Sequence, residues 1–173
     1  IWIDMVWRLI SNIWFSVIVN GLPHGFFKST RGLRQGDPIS PALFVIGAEV
    51  LSRVLNALAG HRSFRPFKIP SGYPLVTHLA YANDVVIFTS GLKASIKLVK
   101  GVVDGYCGVS GQKVNCQKSC FSVHPAFPPQ RRAMIGVVTG FSYKSFPSKY
   151  LGCPLFIGRR RTSYFGEICN III

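Results

Sequence analysis

Ten residues, Leu79-Ala80-Tyr81-Ala82-Asn83-Asp84-Val85-Val86-Ile87-Phe88, set an Asn-Asp pair between two apolar runs, and no other stretch limits the fold as narrowly. Val, Ile, Phe and Tyr suit a pleated, half-buried surface, whereas Asn and Asp take turn conformations and hydrogen-bond their own backbone. The pattern predicts a strand, a tight turn and a second strand. With buried flanks and an exposed tip, such a hairpin would hold the Asp84 carboxylate rigidly at the surface. An ordinary polar turn carries the same pattern, so the rest of the chain must decide between them.

The surroundings of that tip are basic. Twenty Lys and Arg oppose six Asp and Glu, a formal charge of +14 with a pI near 10.1. Such a balance favours a polyanionic partner, either nucleic acid or an anionic membrane surface. The cations are dispersed in ones, twos and a single triplet at Arg159-Arg160-Arg161, among apolar periodicity that implies a folded scaffold. With 173 residues, 49% of them hydrophobic, the chain suits one compact domain or a piece of a larger one, expected to bury roughly 70% of its extended surface. The apolar run from Ile1 to Val19 is interrupted by Asp4, Arg8, Ser11 and Asn12, which argues against a spanning or signal segment, and the positive charge is not gathered on one amphipathic helix, which argues against a membrane partner. Five cysteines, Cys107, Cys116, Cys120, Cys153 and Cys169, are an odd set. They argue for a reducing, intracellular compartment, nucleus or cytoplasm, and against a disulfide-linked partner. The spacing of Cys116, Cys120 and His124 matches none of the usual zinc patterns, which favours free thiols.

Along the chain, Ile3, Val6, Trp7, Ile10, Ile13 and Trp14 follow a helical face. Phe15 to Val19 then read as a strand, Asn20-Gly21 as a reversal and Phe26-Phe27-Lys28 as the return. The loop from Ser29 to Pro41 carries Arg31, Gly32, Arg34, Gln35, Gly36 and Asp37 just before a helix. Its glycines let backbone approach a ligand, its arginines suit phosphate, and the following helix N-terminus favours anions. Asp37 or Ser40 is expected to cap that helix, with Pro38 or Pro41 in its first turn. Leu43, Phe44, Gly47, Val50, Leu51, Val54, Leu55 and Leu58 make its apolar face. Between Gly60 and Pro74, His61, Arg62, Arg65 and Lys68 alternate with Phe64, Phe67 and Tyr73. Those aromatics suit base stacking, or equally pin the loop to the core. A helix is predicted through Ile96, Val99, Val102, Val103, Tyr106 and Cys107, broken by Gly108 to Gly111. A polar bend leads to a strand near Cys120 to Val123. Gln130 to Val138 suits a short helix, Tyr150 to Phe156 a strand in which Pro154 implies an edge or bulge, and Tyr164 to Ile173 a final helical or extended element.

Four of these stretches, in this order, resemble the reverse transcriptase of LINE-type (non-LTR) retrotransposons, particularly those of flowering plants. They are Gly32-Leu33-Arg34-Gln35-Gly36-Asp37-Pro38-Ile39-Ser40-Pro41, Tyr81-Ala82-Asn83-Asp84, Gly111-Gln112-Lys113-Val114-Asn115 with Lys118-Ser119, and Tyr150-Leu151-Gly152-Cys153-Pro154-Leu155. The resemblance implies an α+β, partial right-hand polymerase: a palm with part of the fingers over 1–157, an antiparallel sheet backed by helices, and the start of a thumb connection over 158–173. It implies a template and nucleotide contact at Arg31, Arg34, Gln35, Gly36 and Tyr81, and a grip on the primer end at Tyr150, Leu151 and Gly152. Lys118 would lie near the nucleotide phosphates as a proton donor. The implied partners are an RNA template with a DNA primer, or an RNA/DNA hybrid, and deoxynucleotides.

The same resemblance exposes a departure. The family's tip is Tyr-Ala-Asp-Asp, whose first Asp joins an Asp on an earlier strand to hold two Mg2+ ions. Position 83 is Asn here, Asp84 is the one remaining metal-binding carboxylate of the tip, and the earlier Asp belongs to a strand expected before Ile1. Asp4 falls on the amphipathic helix and does not replace it. Losing one metal-binding carboxylate removes about 3 to 5 kcal/mol of transition-state stabilisation, roughly a hundred- to several-thousand-fold in rate. The expectation is a reverse transcriptase-like chain with degenerate chemistry. A non-catalytic RNA- or DNA-binding module and a non-functional translated remnant are the alternatives.

Overall fold

The computed structural model describes residues 1–30, 32–159 and 161–166. Helix α1 (Trp2–Ser11) buries none of its residues, and the apolar stripe stops short of its expected end because the chain leaves the helix at Asn12. Ile13 turns inward instead, and Trp14 opens a hairpin of β1 (Trp14–Val19) and β2 (Leu22–Lys28). Its two-residue turn puts Asn20 at φ +51° and Gly21 at φ +81°. Both are left-handed, as a turn between right-twisted strands requires, and Asn and Gly adopt that region most readily. Every residue of both strands is exposed, and Trp14 stacks on Phe26 at 4.8 Å between ring centres.

Helix α2 (Ser40–Ala57), continued by a tight turn at Leu58–Gly60, is the centre of the molecule. Its first turn is built differently from the expected cap. Ile39 occupies the cap position, the Asp37 carboxylate accepts from the Ile39 N–H at 2.9 Å, and the Ser40 hydroxyl donates to the Arg34 carbonyl at 2.7 Å. Pro41 falls in the first turn, where its missing N–H costs nothing. Leu55 and Leu58 join Phe64 in the main apolar cluster, against which Leu51, Ile87, Leu98, Val99 and Val102 pack. By length and composition alone, Ser40–Gly60 suffices to cross a bilayer. Its midpoint carries the ion pair of Arg53 with Glu49, at 2.9 Å.

β3 (His78–Tyr81) and β4 (Asp84–Ile87) follow as an antiparallel hairpin, then α3 (Lys93–Ser110). α3 runs through Gly108 and stops only at Gly111, whose φ of +72° and N–H to the Cys107 carbonyl close the helix. Gly108 lacks that left-handed geometry, so the intrahelical ladder passes over it. β5 (Cys120–Phe121), α4 (Pro129–Thr139) and β6 (Ser142–Tyr143) make a strand-helix-strand crossover, and β5 pairs with β6 in parallel, as such a connection requires. Arg132 of α4 lies over the Tyr143 ring at 4.4 Å. The predicted strand over Tyr150 to Phe156 is instead a third tight hairpin, β7 (Ser148–Tyr150) and β8 (Cys153–Leu155), which turns at Leu151 and Gly152 with φ of +50° and +77°. Pro154 sits in β8, in a two-stranded ladder where the edge position its missing donor demands is available. Near the described end, Phe156 packs on Tyr164 and Phe165. Most of the final element expected over Tyr164 to Ile173 lies outside the described residues.

The class is α+β, with mixed helices and small, mainly antiparallel sheets. Among the described residues the strands form four separate two-stranded ladders rather than one sheet. That division has a measurable cost. The chain exposes 13342 Å², against about 8,400 Å² for a compact monomer of this mass, so it buries about half of its extended surface rather than 70%.

Candidate functional site

The tip hairpin pairs His78 with Ile87, Leu79 with Val86, Ala80 with Val85 and Tyr81 with Asp84, leaving Ala82 and Asn83 as the two turn residues. The left-handed residue is Ala82, at φ +49°, and not Asn83. Glycine normally takes that place, and an L-residue there carries about 1 to 2 kcal/mol of strain. The flanks are less buried than the sequence pattern predicts. Leu79 and Val85 are exposed, and burial begins only at Val86 and Ile87, where β4 reaches the apolar cluster. Tyr81 and Asp84 are exposed.

The lower end of the hairpin is fixed to α2 by polar contacts that sequence reasoning missed. The Thr77 hydroxyl donates to Asn56 Oδ1, His78 Nδ1 lies 2.9 Å from the same hydroxyl, and His78 Nε2 lies 2.9 Å from the Ser52 hydroxyl. Burial lowers the His78 pKa, and nearby Glu49 only partly offsets it, so the neutral ring is favoured. Ser52 and Asn56 are four apart on one helix face, which is the one trace of this clamp in the sequence.

The upper end is fixed by Tyr150. Its hydroxyl donates to the Asp84 carbonyl at 3.1 Å and lies 3.4 Å from the Leu79 carbonyl. Desolvation raises the Tyr150 pKa, and the Asp84 carboxylate adds to the effect, so the phenol stays protonated and able to donate. The structure therefore brings Tyr150 to the tip hairpin, while Leu151 and Gly152 form the turn of its own hairpin.

The remaining expected site residues that the structure describes belong to other elements. Arg34, Gln35 and Gly36 form an exposed turn before α2, closed by the Asp37 N–H on the Arg34 carbonyl, with Gly36 at φ +86°. Nothing lies within 4 Å of where a Gly36 side chain would start, so the backbone there is open to a ligand. Arg31 lies outside the described residues. Lys118 ends a turn in which its N–H and that of Gln117 donate to Asn115 Oδ1. Neither Arg34 nor Lys118 forms an ion pair with Asp84 among the described residues.

As a metal site the tip is poor. Asp84 offers one carboxylate, Asn83 offers a neutral amide oxygen, and no group of three His, Cys, Asp or Glu able to hold a metal occurs among the described residues. A pair of Mg2+ ions needs several anionic oxygens in near-octahedral geometry, so these residues do not fit it.

Comparison with known proteins gives this arrangement a context. The family model described as "Reverse transcriptase (RNA-dependent DNA polymerase)" matches residues 2–155. The chain is similar to an uncharacterised mitochondrial protein of Arabidopsis thaliana, 35% identical over 75 residues, which is 43% of this chain and 62% of that protein. It is also similar to a retrovirus-related Pol polyprotein of a type-2 retrotransposable element of Drosophila melanogaster, 28% identical over 109 residues, or 63% of this chain and 9% of the polyprotein. The chain thus spans less than two thirds of either relative.

Proposed function

The chain belongs to the reverse transcriptase family, and from that premise we propose that it is a palm-centred portion of a plant LINE-type retrotransposon enzyme that holds nucleic acid without polymerising it. The order of the four motifs and the likeness to a retrotransposon polyprotein support the ancestry. The observation that carries the loss of chemistry is the donor set at the tip, a single carboxylate at Asp84 beside the Asn83 amide. In the family, Mg2+ supplies activation of the primer hydroxyl and neutralisation of the departing pyrophosphate. Here Asp84 is the tip residue that would hold such an ion, and it lacks the companion carboxylate at position 83.

Binding needs less than catalysis does. The turn of Arg34, Gln35 and Gly36, with Arg31 before it and Tyr81 on the hairpin, is the template and nucleotide face in this reading. Tyr150, Leu151 and Gly152 are the primer-end contact, and Lys118 approaches phosphate. The ligand is an RNA template annealed to a DNA primer. The test is a salt titration of template-primer affinity, run beside primer extension with Mg2+. With about five phosphates neutralised, log affinity falls against log salt with a slope of roughly −3.5 to −4.5. Affinity that ignores salt, or no binding at low salt, contradicts the reading.

A further inference from the structure

The loop between the core helix and the tip hairpin carries a feature the polymerase reading leaves unused. Its base is firmly held: Phe64 is 5% exposed in the apolar cluster, Pro66 bridges to Thr89, and the Phe88 N–H donates to the Thr77 carbonyl at 2.8 Å. Both ends of the loop therefore close on Phe88 and Thr89, the continuation of the strand that carries Asp84. Phe67 leans on Phe88 at 6.2 Å yet stays 52% exposed, and Tyr73 is 72% exposed. Phe67, Lys68 and Tyr73 line one open groove of roughly 430 Å³.

Of the three aromatics, one is spent on the core, one is shared and one is left to solvent. Tyr73 stands exposed on a loop held at both ends, so part of the ordering cost of a stacking contact is met before a ligand arrives. The charge around it selects the ligand. From Val50 to Asn83, thirty-four residues contain no carboxylate while carrying Arg53, Arg62, Arg65 and Lys68. Arg62, Arg65 and Lys68 are exposed, and none takes part in an ion pair among the described residues.

We propose that the groove at Phe67, Lys68 and Tyr73 is a binding site for an unpaired nucleotide of a nucleic-acid strand, with the base stacked on Tyr73 and the phosphate on Lys68. Stacking demands a free base face, so the site takes single strand and refuses duplex. This rests on the reading that the chain binds nucleic acid, and is independent of whether it catalyses.

The experiment uses the full 173-residue chain and three ligands: a single-stranded RNA 12-mer, the same strand carrying 2-aminopurine, and the matching duplex. The Tyr73→Ala variant weakens single-strand binding roughly 5- to 160-fold, the range measured for losing one stacked base, and leaves duplex binding unchanged. Tyr73→Trp retains the affinity and quenches 2-aminopurine, which separates stacking from damage to the fold. Lys68→Ala lowers the magnitude of the salt slope by roughly 0.7, whereas Tyr73→Ala leaves the slope alone. Wild-type single-strand affinity in Tyr73→Ala, as a groove for a protein partner would give, overturns this proposal while leaving the binding reading standing. Equal losses for single strand and duplex also overturn it. Failure of the unmodified chain to bind any of the three, or the RNA/DNA template-primer, at low salt removes both.

Discussion

At the scale of single residues, the hairpin tip is governed by side chains that act on its two ends rather than by the acidic pair alone. His78 is the clearest case. Its pKa is lowered, chiefly by burial, so the folded chain resists protonation that the unfolded chain accepts. The resulting stability is fully present above about pH 6.5 and is lost as pH falls through the lower folded value. A series of urea melts should show this loss on acidification, and the His78→Asn variant, which cannot take up a proton, should lack that component. An unchanged pH slope in the variant would show that protonation of His78 is not linked to folding. Position 83 is the other decisive residue. In the proposed reading an amide stands there where the family's tip carries a carboxylate, at nearly constant shape, so the turn is kept without its charge.

At the scale of elements, the β3–β4 and β7–β8 hairpins are joined through the Tyr150 hydroxyl. Tyr150→Phe removes that donor and should destabilise the pairing by about 0.5 to 1.5 kcal/mol. The readout is faster hydrogen exchange at the amides of 79–86 with the β1 and β2 hairpin unaffected. Leu55→Ala opens the centre of the apolar cluster and should cost about 2 to 5 kcal/mol, read as a lowered urea midpoint. Local patterns made much of this legible. Asn20-Gly21 announces its turn, and Leu51, Leu55 and Leu58 of the predicted stripe make the core face of α2, whereas Val50 and Val54 of the same stripe stay exposed. Where two local signals compete, the outcome depends on distant partners. Gly108 and Gly111 are equally good helix breakers by composition, yet only Gly111 has its N–H returned to a carbonyl in the left-handed geometry. The β7–β8 hairpin was hidden because Leu151 is a poor turn residue by type, and its positive φ is carried beside Gly152. The Thr77, His78, Ser52 and Asn56 clamp joins positions more than twenty apart, beyond the reach of any local pattern.

At the scale of the whole molecule, charge was readable from composition and compactness was not. The basic balance points to a polyanion, and the family match agrees with it. Burial depends on assembling strands, and four separate ladders leave the apolar faces of α1, β1 and β2 uncovered. Because the urea m-value scales with the surface exposed on unfolding, it should be about three quarters of that of a compact domain of equal length. A full-sized m-value would mean that these faces are buried in solution. The central claim, that the polymerase tip persists as architecture without its chemistry, is tested most directly by primer extension on an RNA template with Mg2+, at a protein concentration that saturates template-primer binding. The expected result is bound template-primer with no templated product from the unmodified chain, measured beside Asn83→Asp. Robust extension by the unmodified chain would contradict the account.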